Sequence, residues 1–289
     1  MSATTIAAKH PIRVGCSCWT YEDWKGPLYP HGLKSDEMLS YYADRFTIVE
    51  ADGTFYRTPT RAQTENWARL TPKEFRFSLK VPRRITHEKK LKDCGEEIAE
   101  FARGVEPLGD RLHCALLQFG YFNQSAFGSL ESFLDRLNDF LELWPMNRIP
   151  LAVEIRNPRW MVAPFADTLR RHGAALALTD QAWMPRPVEI IERFDPLTGP
   201  FAYIRLLGDR ESMEKLTSVW DKIVVDRSRE LAETADIALD LADRAPTSII
   251  VSNVFAGYSP GTAQALRSVI GLPEPKPPQR ARAMLFDFD

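Results

Sequence analysis

Cysteine is scarce in this chain, and none of it is arranged for chemistry. The four cysteines stand at 16, 18, 94 and 114. The C-x-C spacing of Cys16 and Cys18 matches neither zinc-ligand pairs nor a redox C-x-x-C. On a strand the two share one face, where free cysteine packs as a small apolar residue. The chain has no H-E-x-x-H, and its acids are dispersed, so no metal ligand set is expected. A metal between Glu50 and Glu154 would have only the fold to recommend it. No G-x-G-x-x-G follows any strand-like run, which removes the usual dinucleotide turn. No run approaches the ~18 apolar residues of a membrane span. The first ten residues lack a signal-peptide core, so the expected compartment is the cytoplasm. Charge of one sign is missing too: 37 Lys and Arg against 39 Asp and Glu leave −2. The molecule as a whole has no pull toward nucleic acid or an anionic membrane. Nothing here speaks to oligomeric state or to a cofactor.

What is present is an ordinary globular composition, 44% hydrophobic and 26% charged over 289 residues. That length supports one large core without disulfides or metals. Strand-like runs recur at 12–17, 47–51, 75–81, 113–119, 151–156, 174–180, 201–207 and 247–253, with helical stretches between most of them. Leu130, Phe133, Leu134, Leu137, Phe140 and Leu141 give the clearest helical spacing, capped by Ser129 and stopped by Pro145. Ser35 is read as the cap of a helix carrying Met38, Leu39 and Tyr42, and Ser259 as the cap of the last helix. The segment 181–200 holds four prolines and only a short helix. Eight strands alternating with helices predict a parallel sheet closed into a single-domain (β/α)₈ barrel, with an irregular sixth unit. The barrel is placed at 12–272, after an N-terminal tail of 1–11. A proline-rich linker and tail follow at 273–289.

The apolar strands end in polar residues: Ser17, Glu50, Lys80, Gln118, Glu154 with Arg156, Asp180, Arg205 and Asn253. In a barrel those ends converge on the mouth where catalytic groups sit. Glu50, Lys80, Glu154 and Arg205 are therefore the candidate catalytic set. Glu154 or Glu50 would act as base or acid, and Lys80 and Arg205 would stabilise negative charge. Arg156 shares a face with Glu154 and Asp52 with Glu50, which assigns the base or acceptor role to Glu154 and the acid role to Glu50. The alternatives are that Lys80 pairs with Glu50, or that the four charges simply neutralise one another inside the barrel.

Aromatics crowd the mouth loops: Trp19, Tyr21, Trp24, Phe55, Tyr56, Tyr121, Phe122, Trp160 and Trp183. They suit a sugar ring or a base, or else cap the core. Between 73 and 92 stand Lys73, Arg76, Lys80, Arg83, Arg84, Lys89, Lys90 and Lys92 against Glu74 and Glu88. The stretch reads as a solvated basic edge, but its part from Lys80 to Lys90, with up to five Lys or Arg side chains and His87, leaves strand three at the mouth and forms a candidate anion-binding loop. The turn Gly257–Ser259 before the last helix is a second candidate anion site.

Several of these residues fall in longer motifs. G-C-S-C-W-T-Y-x-x-W-K-G-P-L-Y-P (15–30), V-E-A-D-G-T-F-Y-R-T-P (49–59), F-R-F-S-L-K (75–80) with I-T-H (85–87), A-V-E-I-R-N-P-R-W (152–160) and Y-I-R-L-L-G (203–208) occur in order. Together they resemble the YecE-like family, domain of unknown function 72. The resemblance implies an α/β barrel and no particular activity. Trp19, Glu50, Thr54, Tyr56, Lys80, His87, Glu154, Arg156, Trp160 and Arg205 match its pattern. Asp52-Gly53, Phe119-Gly120, Leu207 and Ser252 depart from it. Trp19, Thr54, Tyr56, His87, Arg156, Trp160, Asp180 and Asn253 complete the site as candidate substrate-binding residues.

The expectation is an enzyme using acid–base chemistry on a small polar or anionic ligand such as a sugar or sugar phosphate. The rival is a non-catalytic nucleotide or single-stranded nucleic-acid binder, whose affinity would fall steeply with salt.

Overall fold

The computed structural model describes residues 8–123 and 125–273. The expected tail after Pro273 and most of that before Ile12 lie outside them. Eight parallel strands close into a barrel in sequence order. β1 is Ile12–Cys16, followed by α1, Met38–Ala43; β2, Ile48–Ala51; α2, Arg61–Leu70; and β3, Arg76–Lys80. Then come α3, Gly95–Val105; β4, Leu112–Gln118; α4, Leu130–Leu143; β5, Leu151–Glu154; α5, Ala163–His172; and β6, Ala175–Gln181. The last units are α6, Pro187–Ile191; β7, Ala202–Gly208; α7, Arg210–Leu216; α8, Ser228–Ala242; β8, Thr247–Val251; α9, Asn253–Ala256; and α10, Ser259–Ile270.

Local chemistry explains most of the boundaries. Thr60 and Ser129 accept hydrogen bonds from the N–H groups of Gln63 and Ser132, capping α2 and α4. Gly173, in the left-handed region at φ 67°, ends α5. The sixth helix has five residues, since proline opens it and irregular chain follows. Two expected caps fail. Glu37 rather than Ser35 precedes α1, and Ser259 is itself helical, its hydroxyl donating to Asn253 Oδ1. Cys18 also lies beyond the end of β1, so only Cys16 packs as a strand residue.

Side chains alternate between two cores. Val14, Val49, Phe77, Leu117, Val153, Leu178, Ile204 and Val251 pack between sheet and helices. Ile48, Cys114, Leu116, Ala152, Ala177, Tyr203 and Ile250 fill the barrel interior. β1 and β2 share one register pair, Cys16 with Val49, and there the backbones approach unusually closely. A Cβ on Gly15 would stand 2.0 Å from the Ile48 carbonyl oxygen, which cannot rotate away. Gly15→Ala should therefore lose about 1–3 kcal/mol of stability by overpacking, read as a lower urea midpoint. An unchanged midpoint would show that the two strands can part freely.

Candidate active site at the carboxyl-terminal mouth

Glu50, Lys80, Glu154, Arg156 and Arg205 all share the barrel interior, but they do not form one open constellation. Glu50 sits beside Ser78 of β3, and Arg205 lies between Thr179 of β6 and Ile250 of β8. The Arg205 guanidinium spans the barrel. Its Nε donates to Glu50 Oε2 at 2.9 Å, one terminal nitrogen to Glu50 Oε1, and the other to Glu154 Oε2. The Tyr203 hydroxyl adds a 2.9 Å bond to Glu50 Oε2, and Arg156 Nε donates to Glu154 Oε1 at 3.1 Å. Glu50 and Glu154 expose no surface, and Arg205 only 1%. Burial works against the charge on Arg205, but Glu154 and Glu50 outweigh it and hold its pKa well above the ordinary value.

This network corrects the division of roles between the two glutamates. Asp52 does not stand beside Glu50: β2 ends at Ala51, and Asp52 opens a short 3₁₀ turn. Its carboxylate meets Lys80 Nζ at 2.9 Å, so Lys80 does not pair with Glu50 either. Both Glu50 oxygens are engaged, by Arg205 and Tyr203, and the carboxylate is wholly buried. Glu154 is held by two arginines. The guanidinium of Arg205 occupies the space between the carboxylates, where a metal would otherwise have to lie. Among the described residues no group of three or more His, Cys, Asp and Glu is placed to hold a metal ion.

Above the network the accessible groups are Arg156, Lys80 and His87. The Arg156 side chain is 26% exposed and that of Lys80 14%. His87 rides on a π-type turn, Arg84–Glu88, closed by the Lys89 N–H on the Arg84 carbonyl. Such turns concentrate at functional sites, and no residue spacing announces one. The His87 ring is fixed by a 2.7 Å hydrogen bond between Nδ1 and Thr86 Oγ1 and by edge contact with Phe55 at 5.1 Å. A Cβ on Gly120 would stand 3.2 Å from Nε2, so the glycine leaves that nitrogen uncovered. Burial first, then Arg83 and Arg156, lower the His87 pKa, which keeps the imidazole neutral at neutral pH.

The strand ends also supply acceptors. Gln118, in register with Glu154, has its Oε1 buried with no hydrogen-bond partner among the described residues. The same holds for Gln181 Oε1 and for Thr179 Oγ1, which is in register with Arg205. The polar ends of β4 and β6 are the only signal of these groups in the sequence, and they do not reveal that the oxygens lack partners.

Other expected ligands lie elsewhere. Asp180 alternates to the helix side, where it meets Arg186 at 3.7 Å. Thr54 is buried, its hydroxyl donating to the Ala51 and Lys80 carbonyls, and so ties the β2 turn to β3. Asn253 is buried, with Oδ1 accepting from the N–H and hydroxyl of Ser259. The Gly257 N–H goes to the Asn253 carbonyl and the Ser259 N–H to Asn253 Oδ1, so two of the three N–H groups of the Gly257–Ser259 turn are already engaged. Trp160 stacks on Phe133 at 5.0 Å, and Trp24 is wholly buried. Tyr56 is 75% exposed, its ring edge-on to that of Phe55 at 5.2 Å. Trp19, edge-on to Trp67, lines a side cavity of about 210 Å³ with Asp52, Thr54 and Arg57. The basic loop is largely neutralised: Arg83 pairs with Glu88, and Arg84 and Lys89 with Glu97.

A family model described as "Protein of unknown function DUF72" matches residues 13–283. The chain belongs to this family. It is similar to a DUF72 family protein from Thermotoga maritima, at 29% identity and a TM-score of 0.70, covering 89% of this chain and 97% of that one. A second, from Enterococcus faecalis, superposes with a TM-score of 0.69 at 20% identity, covering 93% and 99%. Among curated relatives, UPF0759 protein YecE of Escherichia coli K12 is 30% identical over 149 residues, 52% of this chain and 50% of that protein. The match thus spans about half the length of that relative. A xylose isomerase domain containing protein from Salmonella typhimurium superposes on this chain with a TM-score of 0.53 at 14% identity, covering 95% and 97%, a likeness of fold alone. Among the described residues no helix is long and apolar enough to cross a membrane.

Proposed function

We propose that the mouth binds a small polyhydroxylated carbonyl compound of the sugar type and moves a proton on it. The observation that carries this reading is the buried, unpartnered Oε1 of Gln118 beside Glu154, with Gln181 Oε1 and Thr179 Oγ1 as further orphans. Leaving such acceptors unpaired costs about 1–3 kcal/mol each, and ligand hydroxyls would recover it. Charge favours a neutral ligand over a phosphorylated one. Arg205, Arg156 and Lys80 face Glu50, Glu154 and Asp52, three cations against three carboxylates. The same compensation on the basic loop weighs against nucleic-acid binding.

In this reading His87 is the proton-transfer group, because it is neutral, accessible and oriented by Thr86. Arg156 has donors left over from Glu154 and would polarise a ligand oxygen. Glu154 is a positioning residue acting through Arg156, and Glu50 with Arg205 forms the buried anchor beneath them. Proton transfer beside a carbonyl predicts exchange of a carbon-bound hydrogen with solvent. The protein should be incubated in D₂O with a panel of aldoses and ketoses, free and phosphorylated, and C–H signals followed by proton NMR. Exchange is expected with an unphosphorylated sugar, falling about 10²-fold or more in His87→Gln. No exchange with any member, or exchange indifferent to His87→Gln, defeats the reading. Salt-sensitive binding of a single-stranded oligonucleotide in its place would favour the rival.

A further inference from the structure

The charges at the mouth are balanced, whereas those at the amino-terminal opening of the barrel are not. Arg13 enters it from β1 and Arg76 from β3. Alternation sends both inward, since Val14 and Phe77 pack on the helix side and Ile48, in register with Arg76, lies in the interior cluster. His113 joins them from β4, where a register shift between Phe77 and Ser78 gives β4 one extra residue. Its ring lies 4.8 Å from Phe201 and 6.0 Å from Tyr203, both interior aromatics. Those rings and Ile48 close the floor of the opening.

The cations here are not balanced. Among the described residues no carboxylate pairs with Arg13 or Arg76. The Arg76 side chain donates, through one terminal nitrogen, to the Lys73 and Phe75 carbonyls, at 2.8 and 3.1 Å. Burial and then the nearby Arg76 lower the pKa of Arg13, so the two charges sense each other. His113 Nε2 is buried and has no hydrogen-bond partner among the described residues.

We infer that this opening is a binding site for a small oxyanion, such as phosphate or a compact carboxylate, held by Arg13 and Arg76 with His113 beneath. Two half-buried guanidinium groups facing one apolar-floored opening repel each other, and an oxyanion between them relieves that repulsion. The planar forks of two arginines match the oxygens of phosphate or carboxylate. A neutral His113 can turn an Nε2–H toward the same ligand. The site stands at the far end of the barrel from the mouth, and its existence is independent of the sugar reading.

The test is a titration of the full chain, ¹⁵N-labelled, with inorganic phosphate, following arginine Nε–H signals and the His113 ring protons. Sodium chloride at matched ionic strength is the reference. Saturable shifts confined to Arg13, Arg76 and His113 are expected with phosphate and absent with chloride. Arg13→Gln should weaken phosphate about ten-fold as read on Arg76, and Arg13→Lys should weaken it less. If Arg13→Gln does not fold, Arg76→Gln read on Arg13 gives the same comparison. Equal responses to phosphate and chloride, or a response at Arg76 indifferent to Arg13→Gln, overturn the site.

Discussion

Replacing Arg205 with methionine is expected to destabilise the protein by about 3–5 kcal/mol, the usual cost of removing one member of a buried ion network. The loss has a specific cause. Methionine fills a comparable volume, so the deficit reflects two fully buried carboxylates, Glu50 and Glu154, left facing each other without the guanidinium. Tyr203 alone remains for Glu50, and Arg156 alone for Glu154. The origin of the deficit is testable by adding a second change. Arg205→Met with Glu50→Gln should be more stable than Arg205→Met alone, because one uncompensated charge is gone. Urea midpoints of the single and double variants measure this. A double variant no better than the single would mean that the arginine acts through packing and not through charge.

That expectation separates the residues that hold the mouth from those that use it, a distinction the sequence could not make. Strand alternation and the polar strand ends were enough to bring Glu50, Lys80, Glu154, Arg156 and Arg205 into one interior, because face is a property of a single strand. Which carboxylate meets which cation depends on strands far apart in the chain: Glu50 and Arg205 are 155 residues apart. Asp180 shows the limit of reading strand ends by polarity alone. It follows the inward Thr179 and so points outward, and parity rather than polarity was the informative signal. His87 was legible as a histidine near a strand end, but its orientation rests on a π-type turn and on the bareness of Gly120, which appear only in three dimensions. At the Gly257–Ser259 turn, too, the partners appear only in three dimensions, since the N–H groups of Gly257 and Ser259 are taken by Asn253.

Acid should weaken the fold through His113 over a defined window. Burial, with Arg13 and Arg76 adding to it, pushes the pKa of His113 down to about 3. The unfolded chain titrates near the ordinary histidine value, about 6.5. Between the two values the unfolded state binds the extra proton, so stability falls as pH falls. The contribution is fully present above about pH 6.5 and is lost progressively toward pH 3, at a slope of up to about 1.4 kcal/mol per pH unit from this one group. Carboxylates and His87 also change their protonation in acid, so the wild-type curve alone does not isolate His113. The comparison with His113→Phe does, because phenylalanine preserves the ring packing against Phe201 and Tyr203 while removing the titration. Urea midpoints from pH 7 to pH 4 should fall more steeply for the wild type than for His113→Phe, the difference between the curves shifting steadily in favour of the variant as the pH drops. Parallel curves would show that His113 takes up its proton as readily in the fold as outside it. If the amino-terminal opening holds an oxyanion, phosphate should make the wild-type curve shallower, since a bound anion favours protonated His113, and should leave the His113→Phe curve with its original slope.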